Sequence, residues 1–284
     1  MAESAALEVR ILPTADKSLP DRLYAVLDDF EPAAIHESES GAEWRVFFRS
    51  AALRDAARHA LGSLHGVRTS AIEVPDEDWA RRSQQNLRAI EAGKLIVAPP
   101  WDVPRRIADK LVIIIEPSTG FGTGHHSTTR LCLQTMQELD LRGARVLDIG
   151  TGSGVLALAA WKLGAGDIVA VDNDRDALES ARENIARNGA AASIDIIHDD
   201  LAGLRIQRAD VVLANLTGAI LIRFAEELRG LAVDGGYLIL SGFAPEDAPV
   251  ILQAFGRLTV IAEHSEADWA SLTLRVQAVP KAGW

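Results

Sequence analysis

One segment, Arg145-Val146-Leu147-Asp148-Ile149-Gly150-Thr151-Gly152-Ser153-Gly154, limits what this chain can fold into more than any other. A short apolar strand there runs into three alternating glycines. A helical run follows (Val155, Leu156, Leu158, Ala159, Leu163) and stops at Gly164, a residue suited to a left-handed helix end. A strand, a glycine turn and a helix make a nucleotide-binding corner, because amides at a helix N-terminus face the ligand and glycine lets it approach the backbone closely.

The flanking sequence supplies the rest of such a fold. From residue 145 onward strands and helices alternate: strand to 149, helix to 163, strand 168–171, helix 175–188 ended by Gly189, strands 194–197 and 210–214, helix 221–231 and strand 237–240. This order predicts an α/β, Rossmann-like, doubly wound parallel sheet with right-handed crossovers. Residues 258–263 and 269–276, joined by a short polar link over 264–268, predict an antiparallel hairpin at its edge.

The first 75 residues read differently. Strand 7–12, helix 19–30, strand 33–36, strand 44–48, helix 51–61 and strand 67–74 give the order β-α-β-β-α-β, the split or ferredoxin-like α+β arrangement. Residues 75–90 read as a helix with Asp76, Glu77 and Asp78 in its first turn, ended by Gly93. A strand 95–98 and the stiff Pro99-Pro100-Trp101-Asp102-Val103-Pro104 connection follow. The expected organisation is therefore a small α+β domain (1–75), a linker (76–105) and a ligand-binding domain (106–284).

Charge narrows the partners. The chain carries a net charge of −11, and Asp28, Asp29, Glu31, Glu37, Glu39 and Glu43 fall in a segment without Lys or Arg. Phosphate backbones and anionic membranes would be repelled, whereas a basic protein would be attracted. No apolar run approaches the ~20 residues of a membrane helix, and the N-terminus lacks a basic-then-apolar signal pattern, so a soluble cytoplasmic protein is expected. The histidines have no ligand partners at metal spacing, and no metal is expected. Cys132 lies in an apolar-periodic run and reads as a buried thiol.

The corner discriminates between ligands. The dinucleotide fingerprint Gly-x-Gly-x-x-Gly would need a glycine at 155, where Val155 stands. Asp148 precedes the first glycine, and Asp172 ends the next strand, placed to accept ribose hydroxyls. A carboxylate beside the turn would repel a pyrophosphate and favour a cationic amino-acid moiety on a sulfonium. S-adenosylmethionine therefore fits better than NAD. Asp200, ending the third strand, is placed either to accept the adenine amino group or simply to hold a turn. Before the corner, the polar loop Glu116 to Thr129, with three glycines and two histidines, is costly to order unless it touches a ligand.

With Asp172, the segment Val146 to Gly154 resembles the seven-stranded class I methyltransferases. Three further stretches resemble the PrmA methyltransferases, which act on large-subunit ribosomal protein L11. These are Val74-Pro75-Asp76-Glu77-Asp78-Trp79, the loop Gly120-Phe121-Gly122-Thr123-Gly124-His125-His126-Ser127-Thr128-Thr129, and Asn215-Leu216. His125 and Ser127 depart from the family loop, as do Thr217 and Gly218 after Asn215. The resemblance implies a seven-stranded methyltransferase sheet and S-adenosylmethionine lined by Phe121, His126, Thr129, Asp148, Gly150, Gly152, Asp172 and Asn215. It also implies that Asn215 and the Leu216 carbonyl receive the hydrogens of a substrate amine, a role resembling that of the Asn-Pro-Pro-Tyr motif of other amine methyltransferases. With Gly218 at the aromatic position of that motif, a flexible alkyl amine suits the site better than a nucleobase.

The expected activity is thus methylation of lysine side chains or the α-amine of a basic ribosomal protein, by a monomer that does not bind nucleic acid directly. Two other readings stay open from sequence: a lysine of another protein, such as an electron-transfer flavoprotein subunit, and a nucleotide-binding module without turnover.

Overall fold

The computed structural model describes residues 3–12, 19–28, 30, 32, 34–38, 42–48, 50–62, 64–75, 87–104, 109–117 and 126–277. The chain divides into two compact units, residues 1–87 and 88–284.

The first unit runs β1 (Glu3–Ile11), α1 (Leu19–Asp28), β2 (Ala34–Glu37), β3 (Glu43–Phe48), α2 (Ala51–Leu61) and β4 (Val67–Pro75). Its four strands form an antiparallel sheet in the order β2-β3-β1-β4, the ferredoxin-like arrangement. Alternation explains the core: Leu7 and Val9 of β1 and Trp44, Val46 and Phe48 of β3 point inward. They meet Leu19, Leu23 and Leu27 of α1, spaced i, i+4, i+8, and Ala57 and Leu61 of α2. Intervening residues are charged and pair across strands, Glu8 with Arg45 at 2.9 Å and Arg10 with Glu43 at 3.1 Å. Ser50 caps α2 by accepting a hydrogen bond from the Leu53 amide. Of the acidic run, Asp29, Glu31 and Glu39 lie outside the described residues, as do residues 76–86 of the expected linker helix.

The second unit opens with a three-stranded sheet of β5 (Ile90–Ala92), β6 (Leu95–Ala98) and β7 (Leu111–Ile114), in that order. Residues 90–92, expected at the end of a helix, are a strand. Ala92 pairs with Leu95, so Gly93 (φ +59°) and Lys94 form a two-residue hairpin turn rather than a helix end. A helix stop and a tight hairpin demand the same left-handed glycine, so Gly93 by itself does not distinguish them.

The main sheet has the order β10-β9-β8-β11-β12-β14-β13. Its strands are β8 (Arg145–Ile149), β9 (Asp167–Asp172), β10 (Ile194–His198), β11 (Ala209–Asn215), β12 (Ala232–Phe243), β13 (Thr259–Glu266) and β14 (Trp269–Arg275). The first five are parallel, and β14 runs antiparallel between β12 and β13. The expected polar link at 264–268 shrinks to Ala267-Asp268, because Glu266 pairs with Trp269 and carries the ladder to the turn. Around the sheet lie α3 (Ser127–Met136), α4 (Val155–Lys162), α5 (Arg175–Arg187), α6 (Gly218–Arg223), α7 (Ala225–Leu231) and α8 (Ala248–Phe255). The single helix expected over 221–231 is two, broken at Phe224 (φ −110°, ψ 24°). Leu221, Ala225 and Leu228 keep one buried stripe across the break, which is why their spacing reads as a single helix.

The two faces of the sheet bury separate cores. Val146 of β8 belongs to one, with Cys132, Leu133 and Met136 of α3, Val155 to Ala160 of α4 and Ile185 of α5. Leu147 and Ile149 belong to the other, with Leu221, Leu228, Ile251 and Phe255. β8 is thus buried on both sides, as a central parallel strand requires, with Asp148 the one charged side chain it buries. The glycine corner sits at its C-terminal end.

Candidate active site

Gly150, Gly152 and Gly154 follow β8 with φ of +70°, +55° and +80°. Each takes a left-handed conformation that an L side chain enters at a cost of roughly 1–2 kcal/mol, so the alternation of glycines is the alternation of the turn. Gly154 also packs against α5, where an added Cβ would lie 3.4 Å from that of Ala181. An added Cβ at Gly150 would lie 2.5 Å from the Leu216 side chain. A side chain at Gly150 or Gly154 would thus meet neighbouring protein in a left-handed backbone, which is why glycine holds the turn.

Asp148 lies beneath this turn, with 1% of its surface exposed. Its Oδ2 accepts the Thr151 hydroxyl at 2.7 Å and the Ala157 amide at 3.0 Å. Gly154, at the N-cap of α4, has no side chain to satisfy the first turn, and Asp148 does so from the preceding strand. Burial pushes its carboxyl pKa up to about 6, against the lowering effect of the Thr151 and Ala157 hydrogen bonds, with neighbouring Asp172 adding to the rise.

Asp172, ending β9, accepts the Gly152 amide at 2.9 Å through Oδ2 and the Asp174 amide at 3.0 Å through Oδ1. It is partly exposed and keeps lone pairs free on each oxygen. Asp200 is exposed, and its Oδ1 accepts the Ala202 amide at 2.8 Å, the geometry of a turn-holding acid.

Asn215 ends β11. Its Nδ2 donates to Thr129 Oγ1 at 3.5 Å, whereas its Oδ1 is buried without a hydrogen-bond partner among the described residues. Such an orphaned acceptor costs roughly 1–3 kcal/mol and marks a place where a ligand donor fits. Leu216 follows. Its amide donates to Ser241 O at 3.0 Å, and its carbonyl packs onto Gly242 (φ +100°), where an added Cβ would lie 2.2 Å from the Leu216 oxygen. Gly242 thus sets where the Leu216 carbonyl can sit, a contact across strands that the local sequence did not flag.

Thr129 is 2% exposed in the first turn of α3, and half-buried His126 caps that helix. His126 Nδ1 lies 2.8 Å from Thr128 Oγ1 and accepts the Thr128 amide at 3.4 Å. Its ring meets Trp269 edge-on, with centroids 4.8 Å apart. Burial and then the Arg130 charge lower its pKa, so the imidazole is neutral at pH 7. Arg130 Nε donates to Glu266 Oε1 at 2.8 Å, so the hairpin tip braces the start of α3 on both sides of the turn. Trp269 and Glu266 escaped the sequence reading because the register of β14 brings them here. Phe121 and His125 lie outside the described residues.

The structure thus gathers Asp148, Gly150, Gly152 and Asp172 around one turn, with Asn215, Leu216, Thr129 and His126 in a second, hydrogen-bonded group. Bare glycine backbone, an acid at the next strand end and an orphaned amide oxygen fit S-adenosylmethionine with an amine beside it. Cys132 is fully buried, and burial pushes its thiol up to about 12, so it supplies no nucleophile. Among the described residues no group of three His, Cys, Asp or Glu is placed to hold a metal ion, and no helix is long and apolar enough to cross a membrane.

Comparison with known proteins agrees with this geometry. A protein of Pelotomaculum thermopropionicum named ribosomal protein L11 methyltransferase is 40% identical over 213 residues, covering 74% of this chain and 69% of that protein. One of the same name from Caldicellulosiruptor saccharolyticus is 31% identical over 92% of this chain and 84% of its own. The crystal structure of a ribosomal protein L11 methylase from Lactobacillus delbrueckii subsp. bulgaricus superposes with a TM-score of 0.62 at 27% identity, covering 67% of this chain and 98% of that one. The sequence pattern of the family described as ribosomal protein L11 methyltransferase (PrmA) matches residues 30–277, and the chain belongs to that family.

Proposed function

We propose that this protein is an S-adenosylmethionine-dependent methyltransferase that acts on lysine side chains or the α-amine of ribosomal protein L11. The observation that carries the reading is the buried, unpartnered Oδ1 of Asn215 at the C-terminal end of β11, beside Thr129 and the glycine turn.

S-adenosylmethionine supplies a methyl carbon activated by a sulfonium. The chain's task is to hold both reactants in line, which is where most of the acceleration of such a displacement arises. The glycine turn would seat the cofactor, and Asp172 would accept ribose hydroxyls. Asp148, buried beneath the turn, would place negative charge near a cationic cofactor without touching it. Asn215 Oδ1 and the Leu216 carbonyl would accept hydrogens of the incoming amine and so orient its lone pair. An amine is a nucleophile only when neutral, and the ordinary pKa of ~10.4 for a lysine side chain makes that form scarce at pH 7, whereas an α-amine, at about 8, is less demanding. Two neutral acceptors orient the neutral form without the field of a carboxylate that would hold the proton on.

The net charge of −11 suits a basic substrate and opposes direct nucleic-acid binding. The reading includes a monomer working in the cytoplasm. Expected site contacts are Phe121, His126, Thr129, Gly150, Gly152, Asp172 and Asn215 for the cofactor, and Asn215 and Leu216 for the amine; Asp148, expected from sequence among the cofactor contacts, is buried beneath the turn and acts only through its charge. No observation favours an electron-transfer flavoprotein lysine or a module without turnover.

The test is transfer of labelled methyl from S-adenosylmethionine to purified ribosomal protein L11. Asn215→Ala is expected to lower turnover at least 100-fold while cofactor affinity, by calorimetry, stays within about threefold. Unchanged turnover in that variant would reject the role of the amide oxygen, and absence of labelling by the unaltered protein would reject the substrate.

A further inference from the structure

Asn184 lies in the interior of α5 and is fully buried. Asparagine is a poor helix former, and a buried amide is tolerated only where its hydrogen bonds are made. Both ends of this amide are used. Nδ2 donates to the Ser153 carbonyl at 3.0 Å, and Oδ1 accepts the Glu116 amide at 2.8 Å. The first partner belongs to the glycine turn. The second lies just past the end of β7.

The Ser153 carbonyl shares a peptide plane with the Gly154 amide, and that amide donates back to Thr151 O at 2.9 Å. One plane is thus pinned at both edges, by Asn184 on its oxygen and by Thr151 on its nitrogen. A peptide between serine and a left-handed glycine has little steric resistance to flipping, and both bonds oppose such a flip. Three positions further along the same face of α5, Arg187 pairs with Glu116 at 2.8 Å. Asn188 clips Ile114, accepting its amide at 2.9 Å and donating to its carbonyl at 2.7 Å. Asn188 thus anchors β7 and also donates to the Asn184 backbone carbonyl at 2.8 Å without reaching the turn, whereas the Asn184 side chain bridges β7 and the turn.

We infer that Asn184 is a positioning residue for the cofactor, fixing the Ser153–Gly154 peptide in the binding orientation and tying it to the end of β7. The inference rests on the reading of the glycine turn as the cofactor's seat. It separates two asparagines four residues apart on one helix face: only Asn184 acts on the cofactor, although both hold β7.

The experiment compares Asn184→Leu and Asn188→Leu in the full chain. Asn184→Leu is expected to weaken S-adenosylmethionine binding at least tenfold by calorimetry and to raise its KM in parallel. Under saturating cofactor, its kcat and its KM for the protein substrate stay within about threefold. Asn188→Leu is expected to lower Tm by a comparable amount and leave cofactor affinity within twofold. Equal loss of affinity in both variants, or unaltered affinity in Asn184→Leu, would overturn the inference. If Asn184→Leu does not fold, Asn184→Ser serves with amide hydrogen exchange. Exchange at Gly154 should rise at least tenfold and be slowed again by S-adenosylhomocysteine, and exchange equal to that of the unaltered protein overturns the inference. Failure of the unaltered protein to bind S-adenosylmethionine at all would instead sink the reading of the turn.

Discussion

Asp148→Asn tests whether the acid beneath the glycine turn costs stability in return for cofactor binding. In the folded protein its carboxyl pKa is pushed up to about 6, whereas the ordinary value is 3.8. Between those values the native state holds more protons than the unfolded chain, so stability falls as pH rises through that window, and the whole penalty is present above pH 6. A gap of about two pH units, at about 1.36 kcal/mol for each, puts the penalty near 3 kcal/mol. Asparagine keeps an oxygen for the Thr151 hydroxyl and the Ala157 amide without the charge, though its new NH₂ group needs a partner in a site that is 1% exposed. The expected net gain for the cofactor-free variant at pH 8 is about 1–3 kcal/mol.

The assay is urea unfolding of both proteins, without cofactor, at pH 4, 5, 6, 7 and 8. Groups not coupled to Asp148 titrate equally in the two, so the difference in unfolding free energy reports Asp148 together with its coupling to Asp172. That difference should grow in favour of Asp148→Asn between pH 4 and pH 6 and then level off. A difference that does not change with pH would refute the buried-carboxylate account. Cofactor affinity should move the other way, roughly tenfold weaker in the variant at pH 8, because a negative charge in a low-dielectric site is removed from beneath a cation. In the unaltered protein, affinity should decline as pH falls below 6, and Asp148→Asn should flatten that decline.

Other expectations follow from geometry alone. Gly242→Ala forces a Cβ to within 2.2 Å of the Leu216 carbonyl oxygen at φ +100°, and since the obstacle is backbone no rotamer relieves it. It should destabilise by about 2–4 kcal/mol and lower turnover more than cofactor affinity; denaturation and calorimetry would show otherwise if Leu216 is not held by that contact. Cys132, fully buried with its thiol pushed up to about 12, should resist maleimide in native buffer at pH 8 and react fully in urea. Labelling within minutes in native buffer would contradict the packing of α3.

What the sequence could show depends on whether a signal is local. The order of strands and helices was legible because each carries its own periodicity, and the glycine turn because left-handed backbone selects glycine. Asp172 and Asn215 could be proposed from their places at strand ends, where such sheets bind ligands, whereas Thr129 was proposed only through the resemblance of its loop to the family. α8 (Ala248–Phe255) was not anticipated: it holds apolar residues on nearly every side, with Val250 exposed and Ile251 buried, so no stripe stands out. β5 has only three residues. Trp269, Glu266 and Gly242 reach the site through the pairing of β14 with β12 and the seating of Leu216 on β12, contacts set by register rather than by neighbours in the chain.

Asp148 is the instructive case, because its residue type suggested direct attraction for a cation while its parity along the strand placed it elsewhere. Leu147 and Ile149 face one core, so Asp148 must face the other, together with Val146 and beneath the first turn of α4. An acid on that side of a central strand cannot reach a ligand above the turn and would be expelled from the core were there no donors for it. The missing N-cap side chain of α4 provides them: Gly154 leaves the Ala157 amide unsatisfied, and Asp148 takes it. The glycine that opens the turn to the cofactor and the buried acid are therefore one requirement. Replacing Gly154 with a capping residue such as serine would relieve Asp148 of its role at the cost of a side chain in left-handed backbone against Ala181.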